Sequence, residues 1–498
     1  MHIFQFIFRS LRYYSGRNLL VALGVAVSTA VLTGGLIIGD SVRFSLEQTA
    51  WYRLGDVTHA VTVTDRYFRQ ELAGELSAET GHDVASVLML EGMAVAGGGQ
   101  QRVNRVQIIG INDDFARVTG MAQPFDIIDN DVVISRNMAD RLEVGAGDAL
   151  LVRIGKASLI PKNAPFVSDT ETTVTLRVTV KAIVDKTEMG HFNLKNSQSA
   201  PFNLFISIDR LNRLMEFEGR ANRLLIHAEN AGIPDLYSAL ANRITPADGS
   251  LLLKYIPLTG ETEISSERVF MEPAVTGAFS KIPETKKILT YFVNALKTAG
   301  KETPYSFVAS SSGFDLQADE VILNQWTADD LGVSPGDTIR MAYFEIGPLR
   351  QLEERETTLR VKEIVPVEGV WADGDLMPHL PGLSDAGHCR EWEAGVPIDL
   401  DKIRQTDEDY WDKYKGIPKA FVSETLGQQL WANRFGNYTA LRIPDEEFSE
   451  EEFSSVFREH IRPADIGMAI LPVKEEGLAA ARGGVDFSQL FLGLSFFL

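Results

Sequence analysis

Residues Leu19–Gly39 read LLVALGVAVSTAVLTGGLIIG and carry no charge. As a helix they span roughly 31 Å, against a bilayer core of about 30 Å. Arg9, Arg12 and Arg17 precede the run, and the first acid is Asp40. By the positive-inside rule the N-terminus lies in the cytoplasm and everything from Asp40 onward lies outside. A cleaved signal peptide and a buried core helix are the alternatives. The run is longer than an ordinary signal-peptide core, and Gly39-Asp40-Ser41-Val42-Arg43 is a poor cleavage site. So long an uncharged stretch with basic flanks also disfavours a core helix.

The remaining chain reads as soluble protein. Its 498 residues exceed one core, and 45% hydrophobic with 23% charged residues is ordinary for globular domains. The net charge of −20, from 68 acids and 48 bases, argues against nucleic acid as a partner and otherwise serves solubility. A single cysteine, Cys389, excludes an internal disulfide.

The expected fold class is α+β: an N-terminal transmembrane helix, then a large extracytoplasmic α+β body with two inserted β-rich repeats. Residues 1–17 are expected as a cytoplasmic amphipathic helix, with Phe4, Ile7, Phe8 and Leu11 toward lipid and Gln5, Arg9 and Arg12 opposite. The alternative is that this stretch simply begins the membrane helix; Tyr13-Tyr14-Ser15-Gly16 favours a break. Residues 18–39 form the membrane helix. Ala22, Ala26, Ala30 and Gly34 recur every fourth position along it, a spacing that lets another helix approach closely. Asp40–Leu54 continues the helix, and Gly55 ends it as a C-cap. Body segments are expected at 40–130, 231–315 and 446–485, and a second membrane helix begins at 486–498. The glycines of Gly97-Gly98-Gly99 sit between two strands with no following helix, so they read as a hairpin loop and not a phosphate cradle.

The repeats occupy 131–230 and 316–445. VVISRNMADRLEVGAGDALLVRI (132–154) returns as VILNQWTADDLGVSPGDTIRMAY (321–343), with Gly147-Asp148 matching Gly336-Asp337. Leu176-Arg177-Val178 resembles Leu359-Arg360-Val361, and 201–207 resembles 418–423. Each unit reads strand, short helix, Gly-Asp turn, strand, long loop and further strand. Lys287–Leu296 and Pro304–Ala309 read as further strands outside the repeats.

Candidate chemistry is sparse. Gly155-Lys156-Ala157-Ser158 lacks both Walker features, so no ATP hydrolysis is expected from this chain. Asp373, Asp375, His379, Asp385, His388 and Cys389 crowd residues 371–392 without recognised metal spacing, and the prolines and glycines there indicate a structural loop; a metal or catalytic site is the alternative. Asp407–Asp412 reads as an exposed acidic turn with Trp411 packed beneath; a binding patch is the alternative. No GxSxG supports a hydrolase. No catalytic, cofactor-binding or metal residues are assigned.

The chain resembles the N-terminal half of bacterial ABC-transporter permeases of the FtsX-like/MacB-like type. The resemblance lies in the basic start and first helix, in Gly39-Asp40-Ser41-Val42-Arg43-Phe44-Ser45-Leu46, in Arg53-Leu54-Gly55, in Leu289-Thr290-Tyr291-Phe292, in Pro304-Tyr305-Ser306 and in Val485–Leu492. It implies a permease subunit of an export or mechanotransmission system in the bacterial inner membrane, with residues 40–485 extracytoplasmic. It also implies a separate ABC ATPase subunit that holds ATP and magnesium, a homodimer or second permease subunit, and an unknown cargo. The family's later helices are absent, so the chain reads as a permease fragment. A single-pass anchored binding or sensor domain is the second reading, and an anchored hydrolase the third.

Overall fold

The computed structural model describes residues 3–161, 164–165, 173–197, 199–347, 351–393, 395–483 and 493. The expected second membrane helix at 486–498 therefore lies outside the described residues, Gly493 apart.

The chain opens with helix α1 (Ile3–Tyr13), whose residues are all at least partly exposed, and α2 (Ser15–Leu54). The break falls at Tyr14, where the backbone leaves the helical region at φ −101°, ψ 22°. α2 is one helix of 40 residues, roughly 60 Å long, so the membrane run continues without interruption into the body. Gly55 ends it at φ 55°, its N–H donating to the Trp51 carbonyl at 2.8 Å. A Cβ there would lie 2.3 Å from the Thr119 carbonyl oxygen, so glycine is required both by backbone conformation and by close approach.

The first half of the body contains β1 (His59–Thr62), β2 (Phe68–Arg69), α3 (Leu72–Thr80), the hairpin β3 (Asp83–Ala96) and β4 (Gln101–Ile111), α4 (Asp114–Thr119), β5 (Asp131–Ser135), α5 (Arg136–Leu142), β6 (Ala149–Gly155), β7 (Thr173–Val184), β8 (Phe202–Ser207), α6 (Ile208–Met215), β9 (Arg220–Ala221), β10 (Arg223–His227), α7 (Ile233–Arg243) and β11 (Leu251–Ile256). The second contains β12 (Glu261–Ser266), α8 (Pro273–Phe279), the hairpin β13 (Lys286–Lys297) and β14 (Glu302–Ser311), β15 (Glu320–Asn324), α9 (Gln325–Leu331), β16 (Thr338–Ile346), β17 (Leu352–Val365), α10 (Gln405–Tyr414), β18 (Ala420–Ser423), α11 (Glu424–Trp431), β19 (Ala440–Ile443), α12 (Glu450–His460) and β20 (Ala469–Leu471), after which α13 (Val473–Gly483) leaves the body. The triple glycine turns the first hairpin as a short 3₁₀ segment.

Two nine-stranded sheets result, ordered β20-β1-β10-β3-β4-β8-β5-β7-β6 and β11-β12-β19-β13-β14-β18-β15-β17-β16. They are the same topology written twice. The local signals repeat in detail: Gly147 and Gly336 sit at φ 95° and 98°, and each donates its N–H at 2.7 Å, to Val180 and Val361 respectively. Asp148 and Asp337 close the turns by accepting from the Gly145 and Ser334 amides at 2.7 and 2.8 Å. Even the bulges match, between Val132 and Val133 and between Val321 and Ile322. The correspondence extends beyond residues 131–230 and 316–445. The strands at 287–296 and 304–309 belong to a hairpin that occupies the place of β3–β4. Almost all of that hairpin is buried, so any apolar residue satisfies most of its positions and sequence similarity fades there.

The edge strands are exchanged. α7 packs on α3 and α12 on α8, each in its own half, but β11 from the first copy joins β12 in the second sheet and β20 from the second copy joins β1 in the first. The linking turns share a sequence, Pro246-Ala247-Asp248 and Pro463-Ala464-Asp465. They meet: a Cβ on Gly249 would lie 3.3 Å from Phe457 and 3.4 Å from Ile466. One apolar core accordingly holds Leu236, Leu240 and Ile244 together with Phe453, Phe457 and Ile461.

The acidic stretch 407–412 departs from the sequence reading. It lies in helix α10 and not in an exposed turn, and Asp407 and Glu408 are buried. The reason is local compensation: Arg404 donates to Asp407 at 2.9 and 2.8 Å and to Asp330 at 3.0 and 2.8 Å. Trp411 is buried, as expected.

Candidate functional site

The two ends of the body converge on one place. α13 runs antiparallel to the outer part of α2: Lys474 Nζ donates to the Gly55 carbonyl at 2.8 Å, Gly477 abuts Arg53 and Ala50, and Arg482 pairs with Glu47 at 2.9 Å. Lys474 Nζ also sits 3.6 Å from the centre of the Trp51 ring. Burial lowers the Lys474 pKa from its ordinary value, while Asp56 and Glu229 oppose that shift. The pair forms a stalk, continuous with the apolar run through α2.

The buried face of α2 comprises Gly35, Gly39, Ala50, Arg53 and Leu54. With half-buried Val42 and Leu46 it steps by four, three, four, four and three residues from Gly35 to Arg53, the seam of two packed helices. Ala22, Ala26 and Ala30 are exposed and Gly34 is half-buried. They lie on roughly the opposite side of the helix from Gly35 and Gly39 at 100° per residue. The ladder read from the sequence and the covered seam are thus two different faces.

The stalk base is socketed into the first sheet. Leu54, Val57 and Val473 pack with Phe115, Phe192, Phe205 and Ile109. Asp56 N–H donates to the Thr119 carbonyl at 3.1 Å, and Asn193 N–H to the Arg53 carbonyl at 3.2 Å. The connection carrying Phe192 is pinned by buried Asn203, whose amide donates to the Gly190 and Phe192 carbonyls at 3.1 and 2.9 Å. Beside the stalk, between α2 and residues 186–197 and 199–201, lies a cavity of about 420 Å³ bordered by Phe44, Gln48, Tyr52, Arg53, Lys186 and His191 among others. Burial and Lys186 hold His191 below its ordinary pKa.

The polar residues of 371–392 have separate tasks. Asp373 is buried against Arg442, Asp375 pairs with Lys254 at 2.6 Å, His379 meets Ser384 at 3.0 Å, and His388 faces Asp412 at 3.9 Å. Cys389 is buried, and burial with Glu408 pushes its thiol pKa up to about 12. Among the described residues no three histidine, cysteine or acidic side chains converge as a metal site would require. Sequence reading missed the parts that join stalk to body: Arg53, Gly477 and Lys474. An arginine continuing an apolar 3–4 spacing is the signal that was available for Arg53.

This geometry defines a class: a membrane-anchored protein whose large extracytoplasmic body stands on a helical stalk. Residues 19–244 match the family model of the MacB-like periplasmic core domain. Residues 19–244 are thus similar to the MacB-like periplasmic core domain, in agreement with the resemblance seen in the sequence. The match ends at Ile244, before the exchanged strand β11. Among solved structures, the periplasmic region of MacB from Actinobacillus actinomycetemcomitans is 12% identical, with 39% of this chain and 86% of that chain covered at a TM-score of 0.26. The extracellular domain of the noncanonical ABC-type transporter YknZ from Gram-positive bacteria is 11% identical, with 37% and 90% covered at a TM-score of 0.24. No curated protein matches the chain.

Proposed function

We propose that this chain is the permease subunit of an ABC-type export or mechanotransmission system in a bacterial inner membrane, with its N-terminus in the cytoplasm. One observation carries the reading: both ends of the body enter a single two-helix stalk that is continuous with the apolar run. A shift of α2 against α13 moves the base of the first sheet, and the exchanged strands carry that movement into the second. ATP and magnesium belong to a separate ATPase subunit, and the body engages cargo or outer partners. The ladder Ala22, Ala26, Ala30 and Gly34 faces a second permease subunit or a second copy of this chain.

The test is purification of the chain from its native membrane in mild detergent. Recovery with an ABC ATPase in near-stoichiometric amount is expected. Recovery of the chain with no ATPase, under conditions that keep other transporters whole, contradicts the reading and favours an anchored sensor.

A further inference from the structure

A small aromatic-walled cavity lies in the second half of the body, where the two copies diverge. Both copies carry a residue of positive φ in the second strand of the hairpin, Arg105 at 56° in β4 and Tyr305 at 41° in β14. Arg105 is exposed, whereas Tyr305 is buried under the excursion between β17 and β18, its hydroxyl oxygen accepting from the Asp399 amide at 2.6 Å. The next residue is apolar Val106 in the first copy and Ser306 in the second, and the pairing registers set Lys419 where the first copy has Asn203. Between β14 and the excursion these changes leave a cavity of about 20 Å³, walled by Tyr305, Phe307, Trp392, Tyr410 and Trp411. A water needs about 10–15 Å³ of such space, so the cavity takes a water or a ligand of a few heavy atoms. Lys415 is the one exposed residue among those that line it and marks its mouth. It ends α10 at φ 52°, ψ −131°, the conformation of Gly55 at the end of α2 and a strained one for a residue with a Cβ.

The polar groups that line the cavity are donors short of acceptors. Ser306 is 2% exposed, and its hydroxyl has no hydrogen-bond partner. Nor has the indole N–H of Trp392. Lys419 is buried, and its Nζ stands 3.8 Å from Asp407, beyond hydrogen-bond reach. Buried donors left unmade are costly. Charge, by contrast, is already balanced. Arg404 pairs with Asp330 and Asp407, Arg390 faces Glu408 at 4.0 Å, and Lys419 faces Asp407, so three cations meet three carboxylates. Burial with Glu408 pushes the thiol pKa of Cys389, another lining residue, up to about 12 and keeps it neutral. An added anion or cation would upset that balance in a buried site. What is missing is an acceptor without charge.

We propose that this cavity binds a small uncharged molecule through its carbonyl oxygen, with Lys419 and Ser306 as the donors and the aromatic walls against its short apolar part. The site lies in the second half and uses neither the stalk nor a transport cycle, so it stands or falls separately from the permease reading.

The test is saturation-transfer NMR of the full chain in detergent, titrated separately with propanamide, propanoate and propylammonium, which share a three-carbon frame and differ in charge. Lys419→Met removes a buried charge and leaves Arg404 on Asp407, so this variant keeps the fold. Ser306→Ala is the second variant, and Lys186→Gln, in the first half, is the control. Saturable binding of propanamide is expected, with Kd on the order of millimolar for so small a ligand. Lys419→Met should weaken it about tenfold and Ser306→Ala about threefold, with Lys186→Gln unchanged. Absence of propanamide binding, or undiminished binding by Lys419→Met, overturns the proposal. Propanoate or propylammonium binding as tightly as propanamide also overturns it, because the site would then select an ion or nothing at all.

Discussion

The two halves of the body share one topology and use it differently. The position at the start of the parallel strand beside each hairpin shows how. In the first half it is Asn203, a neutral amide whose hydrogen bonds pin the short connection against the stalk. In the second it is Lys419, buried 3.8 Å from Asp407 and facing the rings of Trp326 and Tyr410 at 4.7 and 5.0 Å. There it holds the long excursion between β17 and β18 that contains α10. The same frame thus supports a membrane-facing junction in one half and an elaborated surface in the other, and one side chain at the same place selects which loop is held.

The largest expected effect falls on the shared core. Phe457→Ala should destabilise the body by about 3–5 kcal/mol and its counterpart Leu240→Ala by about 2–5 kcal/mol. Each should lower hydrogen-exchange protection in both hairpins, β3–β4 and β13–β14. Protection lost in one hairpin alone would break the comparison, because it would make the halves independent. Next, Asn203→Leu leaves two buried carbonyls without donors and should cost about 1–3 kcal/mol in urea unfolding.

Lys419→Met should act in the opposite direction, stabilising the protein by about 1–2 kcal/mol at pH 7, since Arg404 still satisfies Asp407. The pH dependence checks the sign. Burial lowers the Lys419 pKa to about 8, opposed by Asp407, against about 10.4 in the unfolded chain. Between those values the folded state binds fewer protons, so this lysine makes stability rise with pH from about 8 to 10.4. Below that window its burial cost is fully present. The advantage of Lys419→Met should therefore shrink across the window, and a constant difference would contradict it. The smallest effect is kinetic. With its thiol buried, Cys389 should react with a thiol reagent only when the excursion opens. Fast labelling under native conditions would show that Lys419 does not hold that loop.

Much of this was legible in the sequence. The membrane run needed only the absence of charge, and the two Gly-Asp turns announced the duplication because a left-handed glycine and an aspartate closing the turn leave few substitutes. The hairpin β13–β14 was read as two strands but not as a copy of β3–β4, since burial constrains character there and not identity. The exchange of edge strands was not legible at all: nothing in LLLKYI or AIL says which sheet edge it will join. The recurring Pro-Ala-Asp was the available clue. Arg53 was passed over and Asp407 was read as exposed for a common reason. A charge in a pattern reads as solvent-facing until the groups that surround it are known.

The stalk carries one body because the halves trade their edge strands. Hydrogen exchange of the chain in detergent micelles, followed through a urea series, tests it most directly by reading β3–β4 and β13–β14 together. One shared midpoint for the two hairpins is expected. Two separate midpoints, with one hairpin exchanging freely while the other stays protected, would contradict it.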